Sequence, residues 1–442
     1  MRILGKNATY LPGKIALKLC PDFLRRVGKP PKIVAVTGTN GKTTSSNLLG
    51  DVLKLEGRRV LGNRLGSNVP AGVASCLLMG VNPLGRSRFD IAVLEIDERS
   101  AHKILPQLQP DLMVITNLFR DSIMRNAHPE YIATFLEKAI PNGTKLLLNA
   151  DDLLSARTKQ ENPRVYFGIE RMETDVIECV NLINDMRLCP ECGAELQYDY
   201  RRYHHIGRAH CPECDFASPQ YDYAASKIDC AAMTMTVLDK LGAGEYTLMS
   251  DSVFNIYNEL TAITALRELG FAHEKIAARL RECGIVESRF NRESVGNIDV
   301  VMQMSKDKNA LAGSRVFDYV AGLPGEKELI LMMNCLHDQK HWSENVCWLY
   351  DCDFEFLARD NIRRIVATGP RAKDYTLRLL LAGVPEERVR CVPNEIDAPD
   401  ALDYAPETDV YIFYGTDAID LAYRVRDKTK SLAAQAIAGV TE

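Results

Sequence analysis

The stretch that decides the fold runs from residue 33 to residue 55. It opens with Ile33-Val34-Ala35-Val36, continues as Thr37-Gly38-Thr39-Asn40-Gly41-Lys42-Thr43-Thr44, and ends in an amphipathic segment that reaches Leu55. The apolar run predicts a buried strand, and the segment from Thr43 to Leu55 predicts a helix that stops at Gly57. A glycine-rich loop between a strand and a helix turns several backbone N–H groups toward one anion. The pattern therefore predicts a phosphate-binding loop.

The residue types in this loop suit a nucleotide with its magnesium ion. Lys42 would reach the β- and γ-phosphates, and Thr43 would offer its hydroxyl to Mg²⁺. Glu95 closes an apolar strand, so its carboxylate would reach the same sheet edge and complete the magnesium site. The alternatives are an ordinary glycine-rich turn for the loop and a solvated acidic turn for Glu95. Val36 replaces a glycine of the strict pattern, so the loop is a variant.

Apolar runs and helical segments alternate along most of the chain. This alternation predicts an α/β fold with parallel sheets. The predicted strands are Ile91–Ile96, Leu112–Thr116, Lys145–Asn149, Val165–Gly168, Leu329–Met333, Ile365–Thr368, Val389–Val392 and Val410–Tyr414. We expect a basic N-terminal segment (1–32), an ATP-binding domain (33–298) with an insertion at about 180–222, and a smaller Rossmann-like C-terminal α/β domain (299–442).

Composition limits the classes of protein to consider. The 442 residues are 46% hydrophobic and 26% charged, which excludes a disordered or coiled-coil chain. The start lacks the features of a signal peptide, so we expect a cytoplasmic protein with reduced cysteines. Residues 1–32 hold eight Lys or Arg and one acid, Asp22. The segment from Lys14 to Arg26 is either a basic amphipathic helix for an anionic lipid surface or a helix packed on its own domain.

Four cysteines within the insertion have the spacing of a zinc ribbon. Cys189 and Cys192 form one C-x₂-C pair, Cys211 and Cys214 form another, and 18 residues separate the pairs. Two such turns can close a tetrahedron of thiolates around Zn²⁺. A site with four thiolates has no open position, so the predicted zinc is structural. The alternative is four reduced structural cysteines, and His204, His205 or His210 could also replace a thiolate.

Several motifs in order resemble the Mur ligase and folylpolyglutamate synthase family. They are Gly38–Thr44, Thr116-Asn117 with Asp121, Asn149-Ala150-Asp151-Asp152, and the Asn-x-x-Asn of Asn255 and Asn258. The resemblance implies that Gly38, Thr39, Asn40, Gly41, Lys42, Thr43, Thr44, Asn255 and Asn258 bind ATP. A further likeness, in residues 63–68, implies a substrate loop of Asn63, Arg64, Gly66 and Asn68, for which a plain turn is the alternative.

The stretch Trp348-Leu349-Tyr350-Asp351-Cys352-Asp353-Phe354-Glu355 is similar to a segment of the MurT branch of this family. That branch supplies the ligase subunit of lipid II isoglutaminyl synthase. The resemblance implies ATP-dependent amidation of the D-Glu α-carboxylate of the lipid II stem peptide through an acyl phosphate. It implies ammonia from a GatD-like glutamine amidotransferase subunit, with Asp351 as the orienting acid of its Cys–His pair and Asp353 or Asp338 as fallback candidates.

Two other functions remain open from the residues. One is a conventional Mur or folylpolyglutamate-type ligase that adds an amino acid. The other is a nucleic-acid-binding NTPase with a zinc ribbon, against which the net charge of −5 argues. ATP turnover with ammonium, with an amino acid or with DNA would distinguish the three.

Overall fold

The computed structural model describes residues 9–64, 67–120, 128–283, 290–305, 309–333, 346–415 and 418–440. The chain folds into two compact units. The first contains Met1–Phe119 and His128–Ile285, and the second contains Arg120–Ala127 and Val286–Glu442. No helix in these described ranges combines the length and apolar character needed to cross a bilayer.

The first unit is built around a nine-stranded sheet of order β11-β10-β9-β6-β5-β4-β1-β3-β2. Its strands are β1 (Ile33–Thr37), β2 (Val60–Gly62), β3 (Ile91–Glu95), β4 (Leu112–Ile115), β5 (Lys145–Asn149), β6 (Arg164–Ile169), β9 (Tyr223–Asp229), β10 (Thr234–Asp239) and β11 (Gly242–Thr247). Seven neighbouring strands of this sheet pair in parallel, in the order β2, β3, β1, β4, β5, β6 and β9. Strand β10 pairs antiparallel with both β9 and β11. Central strand β1 is buried along its whole length.

The helices of this unit pack on the sheet or on one another. They are α1 (Leu11–Leu19), α2 (Phe23–Arg26), α3 (Lys42–Leu55), α4 (Pro70–Gly80), α5 (Ala101–Leu108), α6 (Pro129–Ala139), α7 (Leu153–Ala156), α8 (Val253–Glu268) and α9 (His273–Glu282). In α3, Leu48, Leu49, Val52 and Leu53 are buried, as the amphipathic spacing predicts. The glycine loop therefore connects the end of buried strand β1 to the start of helix α3.

The insertion forms an antiparallel hairpin of its own. Strands β7 (Gln197–Tyr203) and β8 (Ile206–His210) pair with each other and with no other named strand. The knuckles around Cys189 and Cys211 lie on either side of this hairpin and pack on the core of the first unit.

The second unit has a six-stranded sheet of order β12-β13-β17-β14-β15-β16. Its elements are β12 (Phe290–Val295), β13 (Ile298–Met304), α10 (Ala310–Gly322), β14 (Glu326–Met332), α11 (Trp348–Asp351), β15 (Ile362–Thr368), α12 (Ala372–Leu381), β16 (Val389–Val392), β17 (Thr408–Tyr414) and α13 (Ile419–Val440). Only β12 pairs antiparallel in this sheet. The predicted α/β class is confirmed in both units.

Several strands differ from the predicted pattern. Strands β2, β9, β10, β11, β12 and β13 were not predicted. Strand β2 has three residues, β11 is rich in glycine and β12 is polar, whereas β13 is a buried apolar strand that was missed. Helix α8 begins at Val253, two residues before the start near residue 255 that the helical spacing predicts.

Candidate active site

The loop from Gly38 to Gly41 curls between β1 and α3. Gly38 has a φ of 126° and Gly41 a φ of 83°, a backbone region that favours glycine. A Cβ atom at Gly38 would lie 2.2 Å from Thr116 Oγ1, and one at Gly41 would lie 2.0 Å from Asn258 Oδ1. Both glycines are therefore required by conformation and by close neighbours.

Lys42 occupies a buried position at the first turn of α3. Its Nζ donates hydrogen bonds to the carbonyl oxygens of Gly38 and Thr39, so the ammonium lies inside the curve of the loop. It also forms a 2.8 Å ion pair with Glu98, which is itself buried. Burial raises the pKa of the Glu98 carboxyl, and the neighbouring ammonium opposes that rise.

Glu98 was not predicted as part of the site. Its place after β3 is typical of a solvated acidic turn, but the Asp97 carboxylate caps a short 3₁₀ turn at Glu98–Ser100, and Glu98 itself is buried. The only sequence signal was its position three residues after the strand end.

Thr43 and Glu95 lie together at the open side of the loop. The Thr43 hydroxyl donates to Glu95 Oε2 at 2.7 Å, and Asn68 Nδ2 donates to Glu95 Oε1 at 2.9 Å. Asn63 holds the backbone of the same glutamate through bonds of 2.9 Å to its N–H and its carbonyl oxygen. Two residues of the predicted substrate loop therefore position Glu95.

The other two residues predicted for the substrate loop are Arg64 and Gly66. Arg64 reaches away to form a 2.7 Å ion pair with Asp51 on α3. Both side chains line a cavity whose wall also includes Glu95. Gly66 lies outside the described residues. Thr44, in the first turn of α3, is half-buried behind the loop.

The segment after β4 braces the loop from the other side. Thr116 Oγ1 donates to the Asn40 carbonyl at 2.6 Å, and Asn117 bonds both the N–H and the carbonyl of Asn40 at 3.0 Å. Thr39 is fixed in turn by bonds with the backbone of Asn117 and Phe119. Asp121, the third residue of the motif, lies outside the described residues.

Helix α8 brings the two predicted asparagines to the loop. Asn258 touches Gly41, and its carbonyl accepts a 3.2 Å bond from the Ser45 hydroxyl. Asn255 lies one turn earlier and accepts from Asn258 Nδ2 at 3.4 Å. The loop, Glu95 and the asparagine pair, which are far apart in sequence, thus surround one region of the first unit.

The four cysteines of the insertion converge. The Sγ atoms of Cys189, Cys192, Cys211 and Cys214 all lie within 4.8 Å of one another. The Cys189–Cys214 pair is 3.6 Å apart and the Cys192–Cys211 pair 3.4 Å apart. A zinc tetrathiolate with bonds of about 2.3 Å has sulfur–sulfur edges of about 3.8 Å, so the residues present fit this ion.

The tip of the hairpin is anchored by buried charges. Arg202 pairs with Asp151 at 3.4 Å and with Asp175 at 2.7 Å, and Tyr257 of α8 donates to Asp151 at 2.6 Å. His205 contacts Asp152 at 3.2 Å. The tip therefore binds the Asn-x-Asp-Asp segment and the helix that carries Asn255 and Asn258. His205 thus belongs to this anchor, whereas His204 Nδ1 lies 3.1 Å from the Ile183 carbonyl oxygen and His210 pairs with Asp199.

Asp351 ends α11 in the second unit and is partly exposed. Its carboxylate lies 3.9 Å from Arg120, a residue that groups with this unit. Asp353 is buried, and its N–H donates to Ser314 Oγ at 2.8 Å. Asp338 lies outside the described residues.

Comparison with known proteins identifies the family of this chain. A family model for the Mur ligase middle domain matches residues 36–185, and one for the MurT ligase C-terminal region matches residues 306–418. The chain is 35% identical to the Staphylococcus aureus (strain COL) lipid II isoglutaminyl synthase (glutamine-hydrolyzing) subunit MurT, over 87% of this chain and 85% of that one. The Streptococcus pneumoniae subunit of the same name is 31% identical over 88% and 86%.

Solved structures share the fold at lower identity. A pseudomurein peptide ligase type C from Methanothermus fervidus superposes with a TM-score of 0.69 at 21% identity, covering 92% of this chain and 80% of that one. MurF from Acinetobacter baumannii gives 0.60 at 16% identity, covering 90% and 77%. The chain belongs to the MurT family of Mur-type ligases and is an ATP-dependent ligase.

Proposed function

We propose that this chain amidates the α-carboxylate of D-Glu in the stem peptide of lipid II. A carboxylate oxygen attacks the γ-phosphorus of ATP, and ADP leaves. The resulting acyl phosphate is attacked by ammonia, which loses a proton as inorganic phosphate departs, and the product is D-isoglutamine. The observation that carries the proposal is the buried Lys42 inside a loop that faces Glu95.

The loop supplies the electrostatic part of this reaction. Phosphoryl transfer depends mainly on positioning and on neutralising charge around the transferred group. The N–H groups that start α3 and the Lys42 ammonium offer positive charge where the phosphates of ATP would lie. Burial of Lys42 increases the strength of that interaction, because little water screens it.

A magnesium ion fits the open side of the loop. Thr43 and Glu95 offer a hydroxyl and a carboxylate already 2.7 Å apart, and oxygen donors are the ligands that Mg²⁺ prefers. The ion would neutralise phosphate charge when bound. Asn68 and Asn63 keep the Glu95 carboxylate at this position through the bonds described above.

The acceptor assignment rests on the relatives. The S. aureus and S. pneumoniae proteins are named as subunits of lipid II isoglutaminyl synthase, so lipid II is the acceptor we propose here. The cavity lined by Arg64 and Glu95 is adjacent to the proposed metal site and is a candidate entry for the acceptor.

The relatives are named as one subunit of a glutamine-hydrolysing synthase, which implies a second chain that releases ammonia. We propose a GatD-like glutamine amidotransferase as that partner. Asp351 would orient the partner's catalytic histidine, since a carboxylate beside an imidazole fixes its tautomer and stabilises the imidazolium. The partial exposure of Asp351 is compatible with contact to another chain.

The four-cysteine cluster is proposed to hold one structural zinc. Its thiols fit a tetrahedral ion, and no side chain of the proposed ATP site belongs to it. The zinc would connect the knuckles around Cys189 and Cys211 beneath the hairpin.

The deciding experiment compares amine substrates. Purified chain with ATP, magnesium and lipid II should release phosphate and form amide when ammonium is added. Alanine, glutamate or DNA in place of ammonium should give no stimulation. Turnover driven by an amino acid would instead establish a conventional Mur-type ligase, and turnover driven by DNA would establish the nucleic-acid NTPase.

A further inference from the structure

One corner of the first unit leaves apolar side chains uncovered. Helix α1 packs on α4 through Gly13, whose N–H donates to Ser75 Oγ at 2.8 Å. The opposite face of α1 points to solvent, and there Ile15 is 51% and Leu19 81% exposed. Leu11, one turn before Ile15, is exposed as well. Positions 11, 15 and 19 follow the i, i+4, i+8 spacing of one helical stripe.

The stripe continues onto neighbouring elements. Leu78 and Met79 are exposed at the end of α4, and the turn that follows presents Leu84 with 80% of its surface in solvent. Arg88 ties this turn to α4 by a 3.0 Å bond to the Met79 carbonyl. The backbone of the turn at Gly85 also lies against Gly28, just after α2.

The surroundings of this apolar stripe are basic. Residues 9–32 and 69–88 contain Lys14, Lys18, Arg25, Arg26, Lys29, Lys32, Arg86 and Arg88. Asp22 is the single acid in these two stretches, and it pairs with Arg26 at 2.7 Å. From outside them, Asp111 faces Lys32 at 3.3 Å. Lys14 and Lys18 are exposed and lie along one side of the stripe on α1.

We infer that this basic apolar corner docks the chain on an anionic phospholipid bilayer. Exposed aliphatic side chains with lysines beside them suit the boundary between headgroups and acyl chains, and the clustered cations suit a negative surface. An acidic protein could pair with the cations. Its surface would also need an apolar groove complementary to the exposed aliphatic side chains. The inference rests on the proposed function only in that a lipid-linked acceptor gives the docking a purpose.

Vesicle binding tests the surface without any enzymatic reaction. The intact chain should co-sediment with vesicles of phosphatidylcholine and phosphatidylglycerol in equal parts, and hardly with phosphatidylcholine alone. Binding should weaken with added salt, because the Debye length shortens. Ile15→Ser with Leu19→Ser should lower the partition coefficient about tenfold, and Lys14→Glu with Lys18→Glu by at least as much.

A matched control is available in the same unit. Leu241 lies in the turn between β10 and β11 and is 77% exposed, so Leu241→Ser removes a similar apolar tip elsewhere. Its vesicle binding should equal that of the unchanged chain. Thermal unfolding of all variants should stay close to that of the unchanged chain, because these side chains are exposed.

The outcomes separate this inference from the proposed function. Variants that bind anionic vesicles as well as the unchanged chain overturn the docking surface. Loss of the glutaminase subunit from the complex in these variants, with vesicle binding kept, would overturn it in favour of a protein interface. Amidation of a water-soluble stem-peptide precursor should be the same in every variant, and failure of that reaction in the unchanged chain would count against the proposed function alone.

Discussion

The most informative single contact is the ion pair between Lys42 and Glu98. An unpaired ammonium would be costly to bury, and the Glu98 carboxylate at 2.8 Å offsets that cost for Lys42. The phosphate-binding cation is therefore held inside the loop before any nucleotide arrives. Binding of ATP then requires little rearrangement of the loop itself.

Removal of that cation should affect the rate more than the fold. Lys42→Ala deletes a charge whose value increases as negative charge develops on the transferred phosphoryl group. We expect amidation to fall by about 10³. Lys138→Ala, an exposed lysine on α6, is the control and should be unchanged. Near-normal amidation by the Lys42 variant would contradict its proposed role.

A second buried carboxyl, Glu259, should make stability depend on pH. Burial raises its pKa to about 7, and within the described part of the chain its hydrogen bond comes from the Met249 N–H. Below the ordinary pKa of 4.5, both folded and unfolded chains carry the proton. Between pH 4.5 and 7 only the folded chain keeps it, so the free energy of unfolding should decline by roughly 3 kcal/mol as pH rises through that window.

Urea unfolding at a series of pH values measures this effect. Glu259→Gln keeps an acceptor for Met249 and carries no titrating proton, so its stability should lack the decline. Glu274→Gln, exposed on α9, should retain it. Equal pH profiles for all three proteins would show that Glu259 ionises normally.

Among the elements, the insertion hairpin makes contacts outside the cysteine cluster. Arg202 and His205 at its tip meet Asp151 and Asp152, which directly follow β5. His205 also packs against Phe119 in a tilted ring contact, with ring centroids 4.5 Å apart, and the Phe119 N–H donates to Thr39 of the loop. The hairpin is thereby connected to the loop through one intervening residue.

Zinc content should follow the cysteine set. Cys189→Ser should lower the zinc bound per chain well below the single ion expected for the unchanged protein, and chelation should lower the melting temperature, because metal binding stabilises the folded insertion. Cys230→Ser, an exposed cysteine outside the cluster, should keep its zinc. ATP binding should persist in both, since the loop lies on other strands. Carefully prepared protein without zinc would refute the site.

The elements also show which features of sequence are readable. The glycine loop, the C-x₂-C pairs and the core strands were predictable, because each is encoded within a few consecutive residues. Glu98 and the partners of Arg202 were not, because their surroundings are created by segments distant in sequence. Strands β10 and β11, the last two at one end of the first sheet, were missed for a related reason: their polar faces have little of the apolar signal that identifies a buried strand. Ligand contacts of Arg64 and Asn68 stay predictions.

At the scale of the whole molecule, the proposed contact with the glutaminase involves the second unit. Arg378 holds the segment around Asp351 through bonds to the carbonyls of Leu349 and Cys352 and a 2.8 Å ion pair with Glu355. Its buried guanidinium fixes the backbone on both sides of Asp351. A carboxylate on such a fixed segment can be presented to a partner with little loss of entropy.

Asp351→Asn tests whether the second unit provides the orienting acid for the glutaminase. With wild-type glutaminase, glutamine-dependent amidation should fall strongly, because the partner's histidine loses its orienting acid. Ammonium-driven amidation should survive and the complex should still form. Asp360→Asn, fully exposed in the same unit, is the control. Unchanged use of glutamine by the Asp351 variant would move the role to another residue.

The acid-poor corner around α1 has a consequence for handling the protein. The chain carries a net charge of −5, and a column chosen from that sum would be an anion exchanger. A charged resin, however, can bind a protein through a single face, and the face with Lys14, Lys18 and Arg25 is positive. The protein should be retained on a cation exchanger at neutral pH despite its isoelectric point near 6.0, and elute earlier when Lys14 and Lys18 are reversed in charge.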